Sequence, residues 1–269
     1  MALTGNEKRT GLQWKHLVIP VAVLVFLIWL RSTPPGLLGK ADAVGYAVCH
    51  RIDTHSFHIG TREMPLCARC SGMYLGAILC LVFQAFQGRR GALPSKASLA
   101  LFGLFVLAFG IDGVNSYLHF FPNAPSLYLP QNWLRLVTGT GMGLTITAFL
   151  LPMFNQTFWT TWDTRPALGN WKQVGGLMIL AGGLIGLVLS GNPLILYPLA
   201  LLSAGGVVMI LTMVYSMVLI MIFKAENRFE RLSQIWLPLL AGLTLAMIQI
   251  GALDLGRFLF TGTWSGFSL

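Results

Sequence analysis

Three of the chain's four cysteines and three of its five histidines fall within residues 45–76, GYAVCHRIDTHSFHIGTREMPLCARCSGMYLG. Cys67 and Cys70 form a Cys-x-x-Cys pair at the head of an apolar run, and Cys49 precedes them across 17 residues, 50–66. Thiolates with a nearby imidazole are a donor set for a tetrahedral, thiophilic ion such as zinc. The same pair also suits a redox dithiol, in which a helix N-terminus and Arg69 would lower a thiol pKa. A loop-fastening disulfide is a third use of these sulfurs. Cys80 lies between Leu79 and Leu81 in mid-run, where a cysteine serves as a small packing residue.

The elements that must hold these residues are membrane spans. The chain is 55% hydrophobic and only 10% charged, its mean hydropathy is +0.70, and apolar runs of near-membrane length recur along it. This composition describes an all-α, polytopic membrane bundle. Seven spans are expected: Trp14 to Leu30, Cys70 to Phe86, Ala97 to Tyr117, Trp133 to Phe154, Val174 to Ser190, Leu194 to Phe223 and Leu232 to Phe260. The first reads as an uncleaved span bracketed by Trp14 and Trp29 rather than as a signal peptide, because no small-x-small cleavage site follows it. The connection 31–66 is the longest, and its apolar piece, Ala41 to Val48, is expected to lie in the interface or re-enter. The reading is a single membrane domain over 1–269, with a Cys/His loop at 31–70 and a transmembrane extension at 147–269.

The net charge of +9 does not mark a nucleic-acid binder, because its Lys and Arg are spread over short loops between apolar runs. They act as topology signals. With the N-terminus in the cytoplasm, 11 of them fall inside and five outside, which favours an N-in, C-out arrangement with the cysteine loop extracytoplasmic. In that arrangement Asp112, His119, Arg135, Asp254 and Arg257 share the leaflet of the cysteines. Unpaired charges there would each cost about 2.5–3.5 kcal/mol on insertion scales. Asp112 and Arg135 are therefore expected to share a polar cavity near the cysteines, their charged groups within salt-bridge or one-water distance, and Asp254 and Arg257 to share one helical face. Gly139, Gly141 and Gly143, with Gly175, Gly176, Gly182, Gly183 and Gly186, are spaced for close helix approach.

Cys49-His50-Arg51, Ser56-Phe57, Pro65-x-Cys67-Ala68-Arg69-Cys70-x-Gly72-x-Tyr74, Asp112-Gly113 and Asn132-x-x-Arg135-x-x-Thr138-Gly139 follow one another over roughly residues 44–146. In this the chain resembles a family of small, uncharacterised prokaryotic membrane proteins, a domain of unknown function. The resemblance implies a multi-pass protein of the prokaryotic plasma membrane and favours His50 as fourth metal ligand beside Cys49, Cys67 and Cys70. His55 departs from the pattern, standing where the family carries Arg; His55, His58 and Asp112 remain alternative ligands. No established activity comes with the family.

Three functional classes follow. In the first, an enzyme, zinc activates water or polarises a substrate oxygen, Arg135, Arg69 or Arg51 binds the anionic part of a lipid-like substrate, and Asp112 is a general base or ligand orienter. The second is a thiol–disulfide redox protein using Cys67 and Cys70. The third is a small-ion or anion transporter with the loop as its lid. The expected partners are the bilayer and a membrane-associated or anionic small substrate.

Overall fold

The computed structural model describes residues 5–121 and 124–265, residues 5–14 by their backbone alone. The side chains of Trp14, and of Lys8 and Arg9, two of the 11 charges counted inside, lie outside the described residues. The described chain forms eight α-helices: α1 (Gly5–Ser32), α2 (Leu37–Val48), α3 (Ala68–Ala85), α4 (Lys96–Leu118), α5 (Asn132–Phe158), α6 (Trp171–Leu189), α7 (Pro193–Ile222) and α8 (Trp236–Thr261). All but α2 are long and apolar enough to cross a membrane, so the expected seven-span bundle is the fold. Polar caps set several boundaries. Ser95 accepts from the Ser98 amide at the start of α4, Asn170 from the Gln173 amide at α6, and Asn192 from the Leu194 amide at α7, where Pro193 takes the first position.

The 12 residues of α2 rise only about 18 Å, well short of a hydrocarbon core of about 30 Å. The helix instead buries Ala41, Ala43, Val44, Gly45 and Tyr46 against α7 and α8. This is the apolar piece of the long connection. A helix ending at such depth must have its terminal carbonyls satisfied by protein, because lipid offers no donors.

The bundle is organised around the crossing of α3 and α5, whose backbones touch. A Cβ at Gly72 would stand 2.4 Å from the Leu136 carbonyl oxygen, and at Gly76 2.6 Å from that of Thr140. From the other side, Cβ atoms at Gly139 and Gly143 would stand 2.1 Å and 1.9 Å from the carbonyl oxygens of Arg69 and Met73. Two small-xxx-small pairs thus interlock, as membrane helices do when packing rather than hydrophobicity drives association. The glycines of α6 behave otherwise: Gly175, Gly182, Gly183 and Gly186 have open space where a Cβ would go, so they mark no helix contact.

One end of the bundle gathers the 31–67 connection, the C-termini of α4 and α8 and the N-terminus of α5. There a short antiparallel pair, β1 (His58–Ile59) and β2 (Arg62–Glu63), folds the cysteine connection back on itself. The opposite end is closed by a parallel pair, β3 (Arg90–Ala92) and β4 (Asp163–Pro166), by a backbone bridge between Trp159 and Phe229, and by Arg89 stacked on Trp159. Cys80 is fully buried among Phe102, Leu144 and Leu177, the packing role expected of it.

Candidate metal centre and the polar cluster beside it

Cys49 ends α2 in extended geometry, and Arg51 then turns the chain through a left-handed conformation, φ 51°. The returning segment lies directly on α2: a Cβ at Gly45 would stand 1.8 Å from the Pro65 carbonyl oxygen. Only glycine permits that approach, and it carries Cys67 back to Cys49. Cys67 is the N-cap of α3 and Cys70 sits three residues on, one helical turn along the same face. The ligating atoms of Cys49, Cys67 and Cys70 all lie within 4.8 Å of one another. A tetrahedral ion with sulfurs about 2.3 Å away has S···S edges of roughly 3.8 Å, so small side-chain rotations close the set.

The three thiols are free, and they share their protons unequally. The Cys67 amide donates to the Cys49 sulfur at 3.4 Å, and the Cys67 and Cys70 thiols lie beside that sulfur. These donors pull Cys49 well below the ordinary thiol range against the opposing effect of burial. Cys67, its proton held on Cys49, is pushed up to about 12. A metal binding here would displace the protons that remain on the three sulfurs.

Among the described residues no histidine or carboxylate joins the three sulfurs. His50 has an exposed side chain and lies outside the donor set, since consecutive residues of an extended segment point to opposite sides. His58 pairs with Asp53 at 2.9 Å. His55 packs against Phe120, ring centroids 5.5 Å apart, and its pKa falls to about 4, first through burial and then through the charges of Arg135 and Arg69.

The carboxylate of Asp112, buried at the meeting of α3, α4 and α5, takes Arg69 as its ion-pair partner rather than Arg135. Arg69 donates from Nε at 3.0 Å and from Nη2 at 2.5 Å to Oδ2, and from Nη2 to the Asp112 carbonyl and the Ser116 hydroxyl. Tyr128 donates to Oδ1 at 2.9 Å and Thr138 to Oδ2 at 3.3 Å. Asp112 and Arg135 form no direct ion pair among the described residues, since Arg69 of α3 takes that place. Arg135 is 5% exposed, and its Nη1 donates at 2.8 Å to Asn132, one turn back. Asn132 also donates to the carbonyls of Thr54 and Ser56, tying α5 to the cysteine connection. Asn115 clamps the α4–α5 loop through Leu127 and Tyr128.

Arg51, Asp42, Arg62 and Glu63 make the lid of this end: Asp42 pairs with Arg51 at 3.2 Å and Arg62 at 2.5 Å, and Ser56 donates to Glu63 at 2.7 Å. Asp254 and Arg257 form no ion pair with each other among the described residues. Arg257 instead donates to the carbonyls of Tyr46, Cys49 and His50 at 2.7, 2.7 and 3.0 Å, capping the C-terminus of α2. That role left no mark in local sequence, because its partners are backbone atoms of a distant helix.

A family profile described as "Predicted membrane protein (DUF2085)" matches residues 49–149. The match takes in Cys49, Cys67, Cys70, Asp112 and Arg135 and leaves out Asp42, Asp254 and Arg257. The chain is also 28% identical over 153 residues to "Uncharacterized protein MJ1492" of Methanocaldococcus jannaschii, an alignment covering 52% of this chain and 92% of that protein. No solved structure matches.

Proposed function

We propose that this multi-pass membrane protein holds a zinc ion on Cys49, Cys67 and Cys70 and uses it on a membrane-associated, anionic substrate, by hydrolysis or group transfer. The observation that carries the reading is the gathering of three sulfurs from two separate helix ends within 4.8 Å, with one of them already favoured as thiolate. Three protein ligands with a fourth position left to solvent or substrate is the pattern of reactive rather than structural zinc. A zinc ion bound there supplies a Lewis acid. Arg135, buried and without a carboxylate in its hydrogen bonds, is assigned to the anionic group of the substrate. Asp112 is assigned a positioning role: with four side-chain donor contacts to its oxygens it orients Arg69 and not a proton in transit. His50, the ligand that the resemblance favours, lies outside the three-sulfur set in this arrangement. By the Lys and Arg distribution, the site faces the extracytoplasmic leaflet.

The test is metal content per chain in protein purified without added metal, with free thiols counted on the same sample. One zinc per chain and four free thiols after chelation are expected, with zinc lost in Cys49→Ser and Cys67→Ser but kept in Cys80→Ser. A metal-poor protein with two thiols oxidised overturns the reading in favour of a thiol–disulfide protein. Arg135→Met should keep zinc while weakening binding of an anionic substrate analogue.

A further inference from the structure

Asp254 lies well away from the uses assigned so far. It sits on α8 seven residues before the helix ends, so about 10 Å below that end of the bundle. Its carboxylate is 3% exposed, and neither oxygen has a hydrogen-bond partner. The indole Nε1 of Trp29, on α1, stands beside it short of hydrogen-bond geometry and is likewise without a partner. Both line a cavity of about 450 Å³ between α1 and α8, walled by Met247, Phe258 and Trp264. Ile28 and Leu255 at its rim are 57% and 61% exposed on the outer face of the bundle, where lipid lies. The neighbouring cations are engaged elsewhere: Arg257 caps α2, and Lys40 donates to Leu30 and Thr33 at the end of α1.

An ionisable group this deep in a span demands a partner, and the two orphaned groups specify its chemistry. The carboxylate asks for a charged donor, the indole N–H for an acceptor beside it. The cavity is of ligand size, and exposed apolar side chains of two spans, Ile28 and Leu255, stand at its rim. We propose that this cavity binds a membrane-dissolved amphiphile whose head carries a primary ammonium next to an oxygen acceptor, the ammonium on Asp254, the oxygen on Trp29 Nε1, and the chain along the groove between α1 and α8. An aminophospholipid and a single-chain amino alcohol share that head chemistry.

The test uses the full-length protein in detergent, titrated with defined lipids and read by native mass spectrometry. Phosphatidylethanolamine should be retained at least tenfold over phosphatidylcholine, whose trimethylated nitrogen has no N–H, and over phosphatidylglycerol, which lacks the nitrogen. Asp254→Asn should abolish the preference with zinc content unchanged. Gly251→Leu provides a second variant with the carboxylate intact: a Cβ there meets Trp29 Cδ1 at 4.0 Å, so the longer side chain fills the cavity. It should abolish retention of all three lipids at this site. Displacement of phosphatidylethanolamine by sphinganine assigns the single-chain amphiphile, and resistance to it assigns the phospholipid. Equal retention of phosphatidylcholine, or an Asp254→Asn profile like that of the unaltered protein, overturns the proposal.

Discussion

Arg257 donates to the carbonyl of Cys49 at 2.7 Å across 208 residues of sequence. The last described helix thus holds the residue that ends α2 and supplies the first sulfur. Arg257→Met removes three charged hydrogen bonds to a partly buried helix end, and a stability loss of about 1–3 kcal/mol is expected. Arg257→Lys should recover less than half of it, since a lysine lacks the planar fork whose two terminal nitrogens reach these carbonyls. Thermal unfolding in detergent, with zinc loss followed on the same ramp, measures both.

Substitution at the α3–α5 crossing should divide the glycines sharply. Gly143→Val places a Cβ 1.9 Å from the Met73 carbonyl oxygen and forces the helices apart, so a loss of about 3 kcal/mol or more is expected. Gly182→Val on α6 meets open space and should lie within about 0.5 kcal/mol of the unaltered protein. Equal effects at the two positions would refute the crossing.

The Arg69–Asp112 pair can be tested by breaking it from one side. Asp112→Asn leaves a mostly buried guanidinium facing a neutral amide, for which about 3–5 kcal/mol is expected. The double variant Arg69→Met/Asp112→Leu, which removes both charges, should be more stable than Asp112→Asn. An additive double-mutant cycle would show that the two side chains do not interact.

His55 makes stability depend on pH. Its folded pKa of about 4 lies below the ordinary 6.5, so the unfolded chain binds more protons between those values. Stability is full above pH 6.5, falls as pH drops toward 4, and levels off below it. The ring is half buried, so the loss is discounted for screening to about 1–2 kcal/mol. His55→Phe should flatten this segment of the profile in denaturant titrations from pH 7 to 4.

Orientation is open to reporters. A fusion within residues 89–96 should read cytoplasmic and one after Leu269 extracytoplasmic, the orientation that the Lys and Arg distribution favours. Reversed signals at both points would place the cysteines in a reducing compartment.

The spans could be read from composition because length and hydropathy alone decide whether a helix crosses a bilayer. The approach of Cys49 to the Cys67–Cys70 pair was likewise anticipated from donor chemistry, although the means, a glycine at 45 lying under Pro65, was not. Pairing of charges was harder. Asp112 had two arginines within reach of one leaflet, and the choice of Arg69 depends on how α3 is rotated, which the glycines at 72 and 76 set through their contacts with α5. Spacing alone could not separate the glycines at 139 and 143, which touch a neighbour, from those at 182 and 186, which do not. Small residues permit close approach without demanding it.

The bare α3–α5 contact also divides the molecule mechanically. Where backbone meets backbone there is no rotamer to change, so the two helices must move as one stiff body. Cys67, Cys70 and Arg69 ride on one member of that body, and Arg135 and Thr138 on the other, so the backbone positions that carry them keep their spacing as long as the crossing holds. Cys49 belongs to a different part: it hangs from the short α2, held by the Arg257 clasp and by the strap through Pro65. Any opening of the three-sulfur cluster is therefore a swing of the α2 arm against a fixed wall. Hydrogen exchange should resolve the two as a slow block spanning the first turns of α3 and α5 and a faster one at residues 45–51.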